Sequence, residues 1–201
     1  MKRMFAALCG VVMCGAAQAQ EAGTPQDHDA LRKLMADTLS AINAKDYAAA
    51  ENLMAKPFRA TVLTQDSFTD FSKLKDYYEN LFTRDTLRMK TVKLNAAADD
   101  LSQIYTGTYA LSSGTTEEFY ELADGRSFTL NGRWTAITAK QPDGQWKIAA
   151  VHTGVNPLDN PVLTAIEKAS IWFAVAAAAA GFLAGLLASW LLRRLRRSAT
   201  A

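Results

Sequence analysis

The chain has 201 residues, 49% of them hydrophobic, and a formal net charge of +2. That charge is unevenly spread: residues 21–168 carry all 20 acidic side chains and only 16 basic ones, while the other cations flank the two ends. An acidic middle excludes a basic, phosphate-neutralising nucleic-acid surface, and the only cysteines, Cys9 and Cys14, leave the rest of the chain without a disulfide, a thiol nucleophile or a thiolate metal site.

Residues 1–19 read as a secretory signal peptide. Lys2 and Arg3 precede an apolar run, and Ala17-Gln18-Ala19 is a small-x-small cleavage site, so the mature chain is expected to start at Gln20. Met13 is too large to precede a lipidated Cys14, which argues against a lipoprotein. Residues 20–155 then form one domain, long enough to bury its own core. Its first helix is capped by Thr24, with Pro25 in the first turn and Asp27 three after the cap. Leu31, Leu34, Met35, Leu39 and Ile42 make the helical stripe. Asn43-Ala44-Lys45-Asp46 breaks it, and a shorter helix turns Tyr47, Ala50, Leu53 and Met54 inward until Pro57 stops it.

A short strand is expected over 58–63 and a third helix over 70–82, capped by Asp70, with Phe71, Leu74, Tyr78 and Leu81 on one side. The hydrophobic period then changes to two. Strands are expected over 86–96, 102–112, 115–122, 128–140 and 145–155. Turns fall at Asp99-Asp100, Ser113-Gly114, Ala123-Asp124-Gly125-Arg126 and Pro142-Asp143-Gly144, and Gly107 marks a bend or bulge. Helices followed by a meander of hairpins mean an α+β fold with an antiparallel sheet.

Residues 156–163 are a short linker, with Asn156-Pro157 and Asn160-Pro161 ending the last strand. Thr164 and Glu167 form a capping box that opens a helix over 164–192. Its stretch 169–192 carries no charge. At about 1.5 Å per residue it reaches roughly 36 Å, enough for a hydrocarbon core of about 30 Å. Arg193, Arg194, Arg196 and Arg197 follow in a basic tail, 193–201. Positive residues stay on the cytoplasmic side, so the expected protein is a single-pass cytoplasmic-membrane protein with its domain on the extracytoplasmic, periplasmic side. The leader implies the same topology. Ala177, Gly181, Gly185 and Ser189 recur every fourth position, a groove for a second helix, although Ala and Gly are also common in such spans.

Certain residues occur in a recognisable order: the Asn43-Ala44-Lys45-Asp46 break, Tyr77-Tyr78-Glu79-Asn80 in a mid-chain helix, Arg133-Trp134-Thr135 on a late strand, and Pro142-Asp143-Gly144-Gln145-Trp146-Lys147-Ile148 closing on His152. Over about residues 25–155 the chain resembles the nuclear transport factor 2-like superfamily, particularly its SnoaL-like and ketosteroid-isomerase-like branches. The resemblance implies a cone: a strongly curved antiparallel sheet wraps the N-terminal helices and leaves a pocket at the open end. It also implies frequent dimers through the sheet. The superfamily holds isomerases, dehydratases, cyclases and non-enzymatic binding modules, so the fold does not choose the function.

Alternation puts Trp146, Ile148, Ala150 and His152 on one face, so His152 is expected at the cavity mouth as a proton donor or acceptor, a pocket-lining group or a structural histidine. Tyr105 and Tyr109 share a face with Gly107 between them and either line the pocket or fill the sheet. Arg133 and Trp134 face opposite ways, so only one can face the pocket: Arg133 either pairs with an acid such as Glu118 or Glu121 across the sheet, the favoured reading, or binds an anionic ligand, and Trp134 is a candidate for the pocket. Glu117, Glu118 and Glu121 crowd one strand and are expected to be exposed, which leaves no isomerase-like carboxylate set. Only His28 and His152 could serve as histidine ligands, and they lie far apart, so no metal and no cofactor is expected. Three functions stay open. One is a membrane-tethered module binding a small apolar ligand or a protein partner. The second is an isomerase, dehydratase or cyclase acting on a lipophilic molecule by proton transfer. The third is an assembly subunit. The expected partners are the bilayer and a second copy, through the sheet and the GxxxG face, but not nucleic acid.

Overall fold

The computed structural model describes residues 23–198. The leader, its cysteines and Gln20 lie outside the described residues, as do the last three of the chain.

Helix α1 (Pro25–Ala44) starts as the capping box requires. The Thr24 hydroxyl accepts from the Asp27 amide at 3.2 Å, and Pro25 takes a first-turn position where no amide is needed. It ends at Lys45, whose φ of 57° is left-handed. Asp46 then caps α2 (Tyr47–Asn52), accepting from the Ala49 amide at 2.9 Å. This second helix is shorter than expected. Leu53 closes it, and Met54 already belongs to strand β1 (Met54–Thr61). Pro57 therefore sits within β1, in the stretch between Met54 and Arg59 where the pairing register slips, which is where a residue without an amide is tolerated. β2 (Ser67–Phe68) and α3 (Phe71–Thr83) follow, the helix capped by Asp70 as expected.

The remaining strands are β3 (Met89–Ala98), β4 (Gln103–Tyr105), β5 (Tyr109–Leu122), β6 (Ser127–Lys140) and β7 (Trp146–Val155). β1 and β3 are shifted by a few residues from the expected 58–63 and 86–96, and the largest change is in the hairpin that follows. Ser113-Gly114 is no turn but the interior of β5, and the turn lies at Thr106-Gly107, with both residues at positive φ (51° and 67°). The Thr108 amide closes it on the Tyr105 carbonyl at 3.1 Å.

The sheet runs β2-β1-β7-β6-β5-β3, with β4 also on β5. It is antiparallel except where β1 meets β7 in parallel, so the sheet is mixed. These two strands are separated by the whole meander, and no hairpin forces their direction. The helices pack inside this curved sheet. Leu31 and Leu34 of α1, Phe71 and Leu74 of α3, and Phe58 and Ile148 of the sheet belong to one core. A smaller cluster of Leu81, Met89 and Leu122 fills the far end of the β5–β6 arm. Asn43 fixes α1 to the edge strand: its amide nitrogen donates to the Leu94 carbonyl and its oxygen accepts from the Leu94 amide, both at 2.8 Å.

Helix α4 (Pro161–Ser198) begins three residues before the expected cap. Asn160 Oδ1 accepts from the Leu163 amide at 3.0 Å, and Pro161 takes the first turn. From Pro161 to Arg194 it is long and apolar enough to cross a membrane, and its apolar stretch is not buried against the domain.

Candidate functional site

Between the sheet and helices α1 and α3 lies an open cavity of about 460 Å³. Apolar side chains such as Leu39, Leu74, Val92, Leu94, Ala136 and Ile148 make most of its wall. The polar groups on the sheet side come chiefly from β5. Its period of two turns Thr116, Glu118 and Tyr120 inward at successive positions, and all three line the cavity.

Glu118 is buried, 9% exposed. The Tyr120 hydroxyl donates to its Oε2. Burial pushes the Glu118 carboxyl above the ordinary carboxylate range, and the Tyr120 hydrogen bond only partly opposes that. Tyr120 itself is raised, first by burial and then by the adjacent Glu118 charge. Tyr78 of α3 is raised for the same two reasons in the same order. Tyr77 beside it shares a hydrogen bond of 2.9 Å with the Thr64 hydroxyl. Thr116 is 5% exposed, and its Oγ1 has no hydrogen-bond partner.

A second carboxylate, Asp27, is equally buried but fully partnered. Lys140 Nζ reaches its Oδ1 at 2.7 Å, the Trp146 indole N–H donates to the same oxygen at 3.0 Å, and the Thr24 hydroxyl donates to Oδ2 at 2.8 Å. The Lys140, Thr24 and Trp146 contacts, in that order, hold its carboxyl well below the usual range. This cluster ties the start of α1 to β6 and β7.

The residues singled out from the sequence separate. Trp134 lines the cavity, and Arg133 points away from it. Arg133 pairs with Asp99 rather than with Glu118 or Glu121, its Nη1 reaching Asp99 Oδ1 at 2.9 Å. Trp146 is buried against Asp27 and takes no part in the cavity lining. His152 is exposed and outside the cavity. The cause is a β-bulge: Ile137 faces Ala150 while Thr138 faces Ile148, so Ala149 is an extra residue on β7. One added residue reverses the alternation, bringing Val151 and Thr153 to the cavity and turning His152 outward. Tyr105 and Tyr109 are not on one strand. They face each other across the β4–β5 turn, 42% and 55% exposed, away from the cavity.

Glu118, Tyr120 and Thr116 were missed because three glutamates close together look solvated. The available signal was Leu122. Counting back from it by twos gives Tyr120, Glu118 and Thr116 on the apolar face, with Glu121 and Glu117 on the other. Glu121 indeed faces out, to Lys90 at 2.7 Å. His28, distant in sequence from the strands, also lines the cavity. Among the described residues no three His, Cys, Asp or Glu side chains are grouped to hold a metal ion.

No protein-family model matches the sequence, and no curated protein matches it. Solved structures do. A ketosteroid isomerase-like protein from Erwinia carotovora atroseptica is 15% identical and superposes with a TM-score of 0.55, covering 66% of this chain and 98% of the other. A protein of the NTF2-like family from Streptomyces avermitilis is 13% identical, with a TM-score of 0.56 over 66% of this chain and 99% of the other. A type 2 hexachlorocyclohexane dehydrochlorinase is 12% identical, with a TM-score of 0.56 over 65% and 86%. At such identities the likeness carries the fold alone: a curved sheet wrapped round the helices as a cone, shared with these structures.

Proposed function

We propose that this protein is a membrane-anchored binding module that holds a small lipophilic molecule in its cone, with Glu118 and Tyr120 as the polar contact. One observation carries the reading. The cavity is open and mostly apolar, its own Phe, Trp and Met side chains leave about 460 Å³ free, and a buried carboxylate–phenol pair lines it. Sites for small molecules have that composition: apolar walls and a few placed polar groups. An assembly subunit would have no use for such a space and would fill it.

The leader and α4 would set the domain at the outer face of the cytoplasmic membrane, with the arginine-rich tail inside. The small-residue face of α4, Ala177, Gly181, Gly185 and Ser189, is exposed and would let two copies meet, as would the outer face of the sheet.

Mass spectrometry of molecules retained by the purified full chain tests this reading, with Ala136→Trp as the variant that fills the cavity from β6. A lipophilic compound should leave with the wild type and be absent from the variant. Repeated preparations that yield none overturn the proposal.

A second reading is a proton-transfer enzyme. The neighbours include a dehydrochlorinase and a ketosteroid isomerase-like protein, and burial raises the Glu118 carboxyl, which favours its protonated, proton-donating form. Glu118 would take the role that His152, on the outer face, is too far away to fill.

A further inference from the structure

We propose that the β5 wall of the cavity takes a protonated amine, so that the ligand is a lipophilic cation whose ammonium group sits between Glu118 and Thr116. This rests on the binding reading above and adds the ligand's chemical class.

The contrast between the two buried carboxylates leads to it. Asp27 has a lysine and an indole N–H. Glu118, equally buried, receives only the Tyr120 hydroxyl, and among the described residues no lysine, arginine or histidine forms an ion pair with it. A buried charge without a counter-charge is costly, and the structure is more stable when a cation arrives to meet it.

The three cations that line the cavity are engaged elsewhere. Arg32 binds Asp29 at 2.5 Å, Lys75 is 3.6 Å from Glu79, and the Lys45 ammonium lies 3.4 Å from the centre of the Phe82 ring. A ligand cation would supply the counter-charge that none of these side chains gives. Thr116 supplies the second contact. It is one inward position along β5, is buried, and offers an Oγ1 with no partner, able to accept one of the three ammonium N–H donors. Aromatic rings complete the surround: Tyr77, Tyr78, Tyr120 and Trp134 all line the cavity, and ring faces attract a desolvated cation. The apolar walls then require a hydrophobic body.

The test uses three probes of one shape: 1-naphthylmethylammonium, 1-naphthalenemethanol and 1-naphthoate. Each is dialysed at neutral pH against the full chain in lipid nanodiscs, with empty nanodiscs as the blank. The ammonium should bind at least about tenfold tighter than the alcohol, and the carboxylate weakest, as expected for a desolvated charge pair. Glu118→Gln should bring the ammonium-to-alcohol ratio close to one. Equal binding of all three probes, a preference for the carboxylate, or a ratio that survives Glu118→Gln overturns the cation site while leaving the pocket as a binding site. Binding of none of the three above the blank overturns the binding reading itself. The wild-type comparison stands alone should Glu118→Gln fail to fold.

Discussion

Asp27 and Glu118 are the same chemical group with opposite electrostatic fates, and each makes its own prediction. Asp27→Ala leaves Lys140 and the Trp146 N–H without their acceptor. Removing one partner of a buried pair is costly, but the Lys140 side chain is 33% exposed, so the expected loss is about 2 kcal/mol rather than the full buried value. Since the Asp27 pKa is lowered on folding, its contribution is complete above the unfolded carboxylate pKa of about 3.9 and is lost as the pH falls through the folded value. Urea unfolding of the two proteins should differ at neutral pH and converge in strong acid. Glu118 has the reverse sign. Its pKa is raised by burial among Tyr77, Tyr78 and Tyr120, so the wild type is favoured below the unfolded value of about 4.3 and loses stability as the pH rises through the folded one. Gln keeps an acceptor for Tyr120 without the charge. Glu118→Gln should therefore melt higher than wild type at neutral and alkaline pH, with the gap closing in acid. A constant gap across that range would mean burial does not control this carboxyl.

At the scale of elements, what was legible in the sequence was local. The Thr24 box, the α1 stripe, the Asp70 cap and the change of period to two depend on neighbours within a few positions, and each appears where the residues put it. The parallel β1·β7 pair and the extra residue at Ala149 depend on which strands meet, and no local pattern encodes that. That one bulge moved His152 from expected site to outer surface, so His152→Ala should leave both melting temperature and probe affinity within error of wild type. Gly114 shows the same limit. Ser-Gly reads as a turn, yet here the glycine makes space within the sheet. A Cβ at Gly114 would lie 1.9 Å from the Ala97 carbonyl oxygen and 2.6 Å from the Trp134 indole nitrogen. The indole N–H donates to that same carbonyl at 3.3 Å, so the backbone cannot yield without losing the contact. Gly114→Ala should cost about 1–3 kcal/mol, read by thermal unfolding. Gly125→Ala has open space and instead meets only the penalty of its φ of 88°.

For the whole molecule, the proposed anchoring by α4 would set the distance between the bilayer and the cone. α4 has 38 residues, about 57 Å of helix, of which a hydrocarbon core of about 30 Å can take little more than half. The charges decide which part: Glu167 and Lys168 stand before the apolar stretch, and Arg193 and Arg194 after it. The first two turns of α4 would thus lie outside the core, and only residues 156–160 separate them from β7, whose Thr153 lines the cavity. A lipophilic ligand leaving the bilayer would have a short path to the cone. The placement depends on a modest energy. Nine Ile, Leu, Val or Phe residues between 169 and 192, at about −0.3 to −0.6 kcal/mol each, favour insertion by roughly 3 to 5 kcal/mol. An arginine at the centre costs about 2.5 to 3.5 kcal/mol. Ala180→Arg should therefore cancel most of the gain and release a large fraction of the protein from carbonate-washed vesicles, whereas Ala165→Arg, among the residues outside the core, should leave it bound. Equal retention of both variants would mean that α4 does not hold the chain by crossing the membrane, and a ligand would then have to reach the cone through water.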